Sequence, residues 1–329
     1  MKATALVTGA NGYTGSNLCR HLARNGVPTR GMYWEPDGFP DFSAPNLELV
    51  AGDLCDRDSL KKALDGIEVV YNIAALYRPT NVSNQMFWDV NVDGVGNLVE
   101  LAAEAGVRRF VQCSTIGVHG DIERPPANES APIKPADYYQ FTKHKGEELS
   151  LELARSSNLP LAVVRPAAIY GPLERRFLQL PRLIQKKRFV MFGSGEVLYH
   201  FIHIDDLCRA FELCAEHEDA PGQVYIIADD HAISMNQVVE IISEGLGVRP
   251  PRLRLPLIVL DTASVCVEFA CKPFGISPPL HRRRASFFKH TRAFDISKAR
   301  NELGFDPQVR PQEGLKQMVQ SYREAGWID

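Results

Sequence analysis

The chain has 329 residues, enough at ~150 residues per domain for about two domains and a large buried core. Hydrophobic residues make up 45% and charged residues 23%, a soluble globular balance that excludes disordered, collagen-like and disulfide-scaffold chains. Lys and Arg number 37 against 40 Asp and Glu, and the net charge of −3 disfavours nucleic acid as a partner. The seven cysteines (Cys19, Cys55, Cys113, Cys208, Cys214, Cys266 and Cys271) are scattered and form no C-x-x-C pair. Reduced thiols and a cytoplasmic location are expected. Residues 3–7 are too short an apolar stretch for a signal peptide, and no apolar run of ~18 residues offers a membrane span.

In chain order, residues 3–7, 28–32, 47–50, 68–73, 110–113 and 161–165 read as strands. Between them, residues 16–25, 57–64, 92–105 and 139–156 carry helical patterns. Strands alternating with helices of this length predict right-handed crossovers, and hence an α/β fold with a doubly wound parallel sheet. After Arg165 the texture turns proline-rich, and a late strand at 224–228 is expected to return to the sheet. The division is therefore residues 1–166 for a dinucleotide-binding domain, with that strand added. Most of 167–329 forms a smaller, interleaved substrate-binding domain.

The first predicted strand runs into Thr8-Gly9-Ala10-Asn11-Gly12-Tyr13-Thr14-Gly15 and then a helix. Glycines there let the backbone approach a pyrophosphate, while the helix N-terminus presents N–H groups and partial positive charge. Gly9, Asn11, Gly12, Tyr13 and Gly15 are the candidate cofactor contacts. The second strand ends in Tyr33-Trp34-Glu35, where Glu35 is either a displaced ribose ligand or a solvated loop acid. The cofactor is read as NAD(P), weighed toward NAD. Asp53, with Leu54 after it, follows the third strand and could meet the adenine amino group or cap a helix nearby.

Tyr139 and Lys143 stand four apart on a predicted helix, so an ammonium can lie beside the phenol and lower its pKa, making a tyrosinate base available. Tyr138 is read as packing. Ser114-Thr115 ends the fifth strand, at the carboxyl edge where ligands of parallel sheets bind. Hydroxyls that satisfy a strand end would account for Ser114 better than for Thr115. His200 and His203 lack a third ligand cluster and are read as strand-end or helix-cap residues, with no metal assigned.

Thr8-Gly-x-x-Gly12-x-x-Gly15, Gly52-Asp53-Leu54, Asn72-Ile73-Ala74-Ala75, Asn91-Val92-Asp93-Gly94, Cys113-Ser114-Thr115, Tyr139-x-x-x-Lys143 and Arg165-Pro166-x-x-x-Tyr170-Gly171-Pro172 follow one another in order. Together they resemble the extended short-chain dehydrogenases/reductases, which include NAD-dependent epimerases/dehydratases and 3β-hydroxysteroid dehydrogenases. The resemblance implies a Rossmann sheet, Tyr139 as acid/base, Lys143 on the nicotinamide ribose, and Thr115 on the substrate oxygen. It also implies Ala74 and Ala75 against the cofactor, Pro166 near the nicotinamide, Asn91 as support, and a homodimer through the helices at 92–105 and 139–156.

Relatives acting on nucleotide sugars commonly carry Asn and Arg where Ala168 and Tyr199 stand here. The departure favours a small-molecule alcohol or ketone of 3β-hydroxysteroid or 3-oxo-acyl type. A nucleotide-sugar 4-epimerase or dehydratase with tightly bound NAD remains the alternative, and a non-catalytic NAD(P)-sensing regulator a remote one. Arg175, Arg176, Arg182, Lys186, Lys187 and Arg188 read as a solvated basic helix face, with a diphosphate clamp as the alternative. Residues 255–271, followed by Arg282, Arg283 and Arg284, read as a core helix, with peripheral membrane contact as the rival.

Overall fold

The computed structural model of the chain describes residues 3–77, 82–260, 262 and 290–329. Of the membrane-contact candidate, residues 261 and 263–271 and the three arginines 282–284 lie outside the described residues. Among the described residues, no helix is long and apolar enough to cross a membrane.

The central sheet is built from β1 (Ala5–Thr8), β2 (Thr29–Tyr33), β3 (Leu47–Ala51), β4 (Val69–Asn72), β5 (Arg109–Cys113) and β6 (Leu161–Pro166). Three short strands follow β6: β7 (Ala168–Tyr170), β8 (Met191–Phe192) and β9 (Leu198–Tyr199). Then come β10 (Phe201–His203), β11 (Val224–Ile227), β12 (Ile233–Ser234) and β13 (Arg254–Leu255). The seven-stranded sheet has the order β11-β6-β5-β4-β1-β2-β3 and every pairing in it is parallel. The predicted returning strand is therefore present, with Val224 opposite Val163 and Ile227 opposite Pro166. Strands β1, β4, β5 and β6 are buried along their whole length, the pattern of a parallel sheet covered on both faces.

One face is covered by α2 (Arg57–Leu64), α4 (Gly94–Glu104) and α5 (Tyr138–Ser157), and the other by α1 (Tyr13–Arg24) and α7 (Ile204–Glu216). Helix α5 starts because the Asp137 carboxylate accepts the Gln140 N–H, and stops where Asn158 turns left-handed. Helix α1 begins at Tyr13, three residues earlier than its apolar pattern predicts, because Gly12 already ends the extended chain. Two further helices are short, α3 (Asn84–Trp88), which Ser83 caps, and α6 (Gln179–Gln185).

A second core gathers Tyr170, Phe201 and the faces of α8 (Met235–Leu246) and α10 (Pro311–Glu324). Between these helices in sequence, α9 (Ser297–Leu303) packs back onto β11, and Phe294, Ile296 and Phe305 join the first core. The chain thus crosses between the two cores several times.

Candidate active site at the carboxyl edge of the sheet

Strand order reverses beside β1, at the carboxyl edge where ligands of such parallel sheets bind. Gly9 takes a positive φ of 71°, and a Cβ on it would come within 3.0 Å of the Ala74 Cα. A Cβ on Gly15 would lie 2.1 Å from the Gly9 carbonyl oxygen, so this turn excludes side chains at both positions. No side chain caps α1, which leaves its first N–H groups pointing outward. Such a cradle fits the pyrophosphate of a dinucleotide.

The flanking residues are less uniform. Asn11 donates its amide to the Trp34 carbonyl at 3.0 Å, pinning the loop to the end of β2. Glu35 is exposed in the 3-10 turn Glu35–Asp37, just past that strand. Asp53 is not a helix cap, since Asp56 caps α2. Its carboxylate instead accepts the Cys55 N–H at 2.9 Å and the Trp34 indole N–H at 3.2 Å. Leu54 is buried against Gly94.

A chain of buried hydrogen bonds runs from this loop toward α5. The Thr8 hydroxyl donates to Asn72 Oδ1 at 2.7 Å and accepts the N–H groups of Ile73 and Ala74. Asn72 donates to Gln112 Oε1 at 2.9 Å, and Gln112 donates to the Cys113 carbonyl at 3.2 Å. That same carbonyl accepts from Lys143 Nζ at 2.7 Å. Burial holds the Lys143 ammonium below its usual pKa, with Cys113 and Glu147 acting the other way. Thr8, Asn72 and Gln112 were not among the sequence candidates. A Gln inside the apolar run Phe110-Val111-Gln112-Cys113 was the available signal.

Tyr139 lies one turn before Lys143 on α5, and its ring meets Tyr77 edge-on at 5.0 Å. Tyr138 packs instead on Phe87 and Phe141. The local hydrogen bond expected of Ser114 at the strand end is made by Thr115 instead. Thr115 Oγ1 accepts the Gly117 N–H at 3.0 Å and caps a 3-10 turn, whereas Ser114 Oγ is buried without a partner. The Thr115 hydroxyl hydrogen is left over for another acceptor.

Asn91 sits in a π-helical turn, Asp89–Asp93, and its amide holds the Leu76 backbone and the Thr142 hydroxyl. That is a supporting position. Pro166 ends β6, next to Arg165, whose guanidinium forms a buried pair with Glu147 and donates to His119 Nε2 at 3.1 Å. Because arginine only donates, the proton of His119 resides on Nδ1, facing the Ala131 carbonyl.

The six basic residues do not share a helix face. Arg175 and Arg176 belong to a separate 3-10 turn, Arg175–Phe177, where Arg176 pairs with buried Glu174. Arg182 holds the Trp327 carbonyl. His203 caps α7 through Nδ1, and His200 bridges the Phe294 N–H and the Asp229 carbonyl. Among the described residues, no group of three or more His, Cys, Asp or Glu side chains is placed to hold a metal.

The family model of the NAD dependent epimerase/dehydratase family matches residues 5–228. The 3beta-hydroxysteroid-dehydrogenase/decarboxylase isoform 1 of Arabidopsis thaliana is 32% identical over 301 residues, covering 84% of this chain and 67% of that protein. Sterol demethylase protein B of Methylococcus capsulatus is 30% identical over 337 residues, covering 99% of this chain and 100% of that one. Among solved structures, MoeE5 in complex with UDP-glucuronic acid and NAD superposes with a TM-score of 0.78 at 27% identity, covering 98% of this chain and 100% of that one.

Proposed function

Because the chain belongs to the NAD-dependent epimerase/dehydratase family, enzymes of the extended short-chain dehydrogenase type, we propose that it interconverts a secondary alcohol and a ketone on a 3β-hydroxysteroid-like or 3-oxo-acyl substrate. The observation that carries this reading is the buried Lys143 ammonium on the Cys113 carbonyl, two residues from Thr115 and one helical turn from Tyr139. When bound, NAD supplies the hydride acceptor and donor.

The chain's own residues do the rest. Tyr139 takes the hydroxyl proton from the substrate, or returns it, as general acid/base. Lys143, fixed at the end of β5, holds positive charge near the phenol and binds ribose hydroxyls. Thr115 directs its free hydroxyl hydrogen at the substrate oxygen. Gly9, Gly12 and Gly15 admit the pyrophosphate, with Asn11, Tyr13, Glu35, Asp53, Leu54, Ala74, Ala75 and Pro166 around the cofactor. Residues 1–166 with the returning strand carry this machinery, and most of 167–329 shapes the substrate side. A homodimer through α4 and α5 belongs to the same proposal, checked by light scattering at micromolar concentration.

The apolar Ala168 and the buried Tyr199 support a lipophilic substrate over a nucleotide sugar. Similarity to MoeE5 over nearly the whole chain favours the second reading, a nucleotide-sugar 4-epimerase or dehydratase. One experiment separates them. Freshly purified protein is denatured and its nicotinamide nucleotide quantified, and a parallel sample is given NAD+ with 3β-hydroxysteroids while NADH absorbance is followed. Empty protein that reduces added NAD+ supports the first reading. Near-stoichiometric retained NAD with no steroid turnover, together with conversion of a nucleotide sugar, overturns it.

A further inference from the structure

We infer that the substrate-side half of the molecule carries a docking face for an anionic lipid bilayer, formed where the turn after α6 meets the segment around β13. The two stretches are joined by the parallel pairing of β8 with β13, in which Met191 lies opposite Arg254 and Phe192 opposite Leu255. Bonds from the Met191 N–H to the Leu253 carbonyl and from the Gly193 N–H to the Leu255 carbonyl continue the seam.

Charge is concentrated there against the trend of the chain. Residues 179–195 and 247–260 together hold seven cations and no acid, in a protein whose net charge is −3. Lys186, Lys187, Arg188, Arg249 and Arg252 are all exposed, and none has an ion-pair partner among the described residues. Arg254 is different, because it is tied to Asn236 at 3.1 Å.

Apolar side chains are exposed in the same place. Five aliphatic residues are prominently exposed among the described residues, and four of them are Leu183, Leu253, Ile258 and Val259. Ile258 is 68% and Leu253 57% exposed, while Leu260, two residues after Ile258, is buried. Cations beside protruding aliphatic tips suit a surface with an anionic headgroup layer above hydrocarbon, where each basic residue contributes about 1 kcal/mol and the tips add burial. A single-stranded nucleic acid would call for exposed aromatic rings to stack its bases, and this face has none among the described residues.

The test uses the full chain, without substrate or cofactor, so its outcome is separate from that of the oxidoreductase reading. Protein is floated with vesicles of phosphatidylcholine alone or mixed with phosphatidylglycerol, at low and high salt. The proposal expects flotation with the anionic vesicles, loss of it at high salt, and about a fivefold weakening for each of Lys186→Ala, Arg188→Ala, Arg249→Ala and Arg252→Ala. Leu253→Ser with Ile258→Ser weakens binding while leaving its salt dependence unchanged. Arg252→Lys retains binding, and circular dichroism confirms that each variant is folded. Wild-type protein left unbound by every vesicle at low salt overturns the proposal. So does binding that survives all the charge variants. Binding abolished by the charge variants but indifferent to Leu253→Ser and Ile258→Ser also overturns it, because that result describes a polyanion partner instead of a bilayer.

Discussion

Two buried polar regions of this fold are built in opposite ways. At the carboxyl edge of the sheet, Thr8, Asn72, Gln112 and Lys143 pass hydrogen bonds from one to the next, so that β1, β4, β5 and α5 are locked in register. At the seam between the two cores, Tyr13 and Tyr170 hydroxyls, His203 Nε2 and Asp229 Oδ2 are all buried, and none completes a hydrogen bond. They crowd the backbone of two glycines: a Cβ on Gly171 would lie 2.9 Å from the Tyr13 hydroxyl, and one on Gly314 2.7 Å from that of Tyr170. A satisfied network fixes reacting groups in place, whereas an unsatisfied one leaves its members' protonation exposed to their surroundings. Rigidity therefore resides at the proposed chemistry, and pH sensitivity behind it.

The largest effect that would break this contrast lies at the sheet edge. Tyr139→Phe removes one hydroxyl, and turnover is expected to fall about 10²- to 10⁴-fold with cofactor affinity kept within a few-fold. Steady-state rates and a fluorescence titration with NADH measure the two quantities, and a variant that keeps most of its turnover removes Tyr139 from the reaction. Glu147→Ala comes next. It strands the buried Arg165 guanidinium and is expected to cost about 3–5 kcal/mol in urea unfolding, more than the paired replacement Glu147→Leu with Arg165→Met. Equal losses for the single and paired variants would show that the pair orders nothing beyond its own charge.

The seam predicts a pH effect. Burial pushes the Asp229 carboxyl up to about 8, with Asp206 adding to the rise and the His203 backbone N–H and the neighbouring Tyr170 hydroxyl opposing it. An unfolded Asp titrates near 4, so between about pH 4 and pH 8 the folded state keeps a proton that the unfolded state has lost. Stability from this group is thus complete below about pH 4 and declines as pH rises to about 8. Asp229→Asn lacks that slope and should gain on wild type across the window, by no more than about 1.4 kcal/mol per pH unit, then run parallel to it. His200, which burial lowers to about 4, destabilises both proteins alike in acid and cancels from the difference. Parallel curves throughout the window would place the Asp229 proton elsewhere.

The contrast also explains what the sequence could and could not reveal. Strands β1, β4, β5 and β6 were readable because buried parallel strands are largely apolar runs, and the glycine turn because only glycine fits at Gly9 and Gly15. The Tyr139 and Lys143 pair followed from helical spacing. The second half was hard to read because β8, β9, β12 and β13 are two residues each and exist only through long-range pairing, such as Ser234 with Leu198. Two residues cannot show a period of two. The capping by Thr115 was not legible because a strand end does not announce which hydroxyl the next turn, Ile116–His119, will recruit as its cap. The role of Gln112 was invisible for a similar reason: its partner Asn72 is forty positions away and becomes adjacent only through the register of β4 on β5.

That register supplies the smallest and sharpest prediction. Gln112→Leu leaves an Asn72 amide hydrogen unpaired in a buried place and removes one of the two donors to the Cys113 carbonyl, so unfolding should be easier by about 1–3 kcal/mol. Asn72→Leu should cost a similar amount, because Thr8 loses its acceptor. If the chain from Thr8 to Lys143 acts as one unit, the double variant costs less than the two singles together, with a coupling of at least about 0.5 kcal/mol. Additive losses would reduce the network to separate local bonds. The same cycle read on the alkaline limb of the pH–rate profile tests its reach to Lys143: with Gln112 gone the ammonium alone satisfies the Cys113 carbonyl, and the limb should move while that of Asp229→Asn stays where it is in wild type.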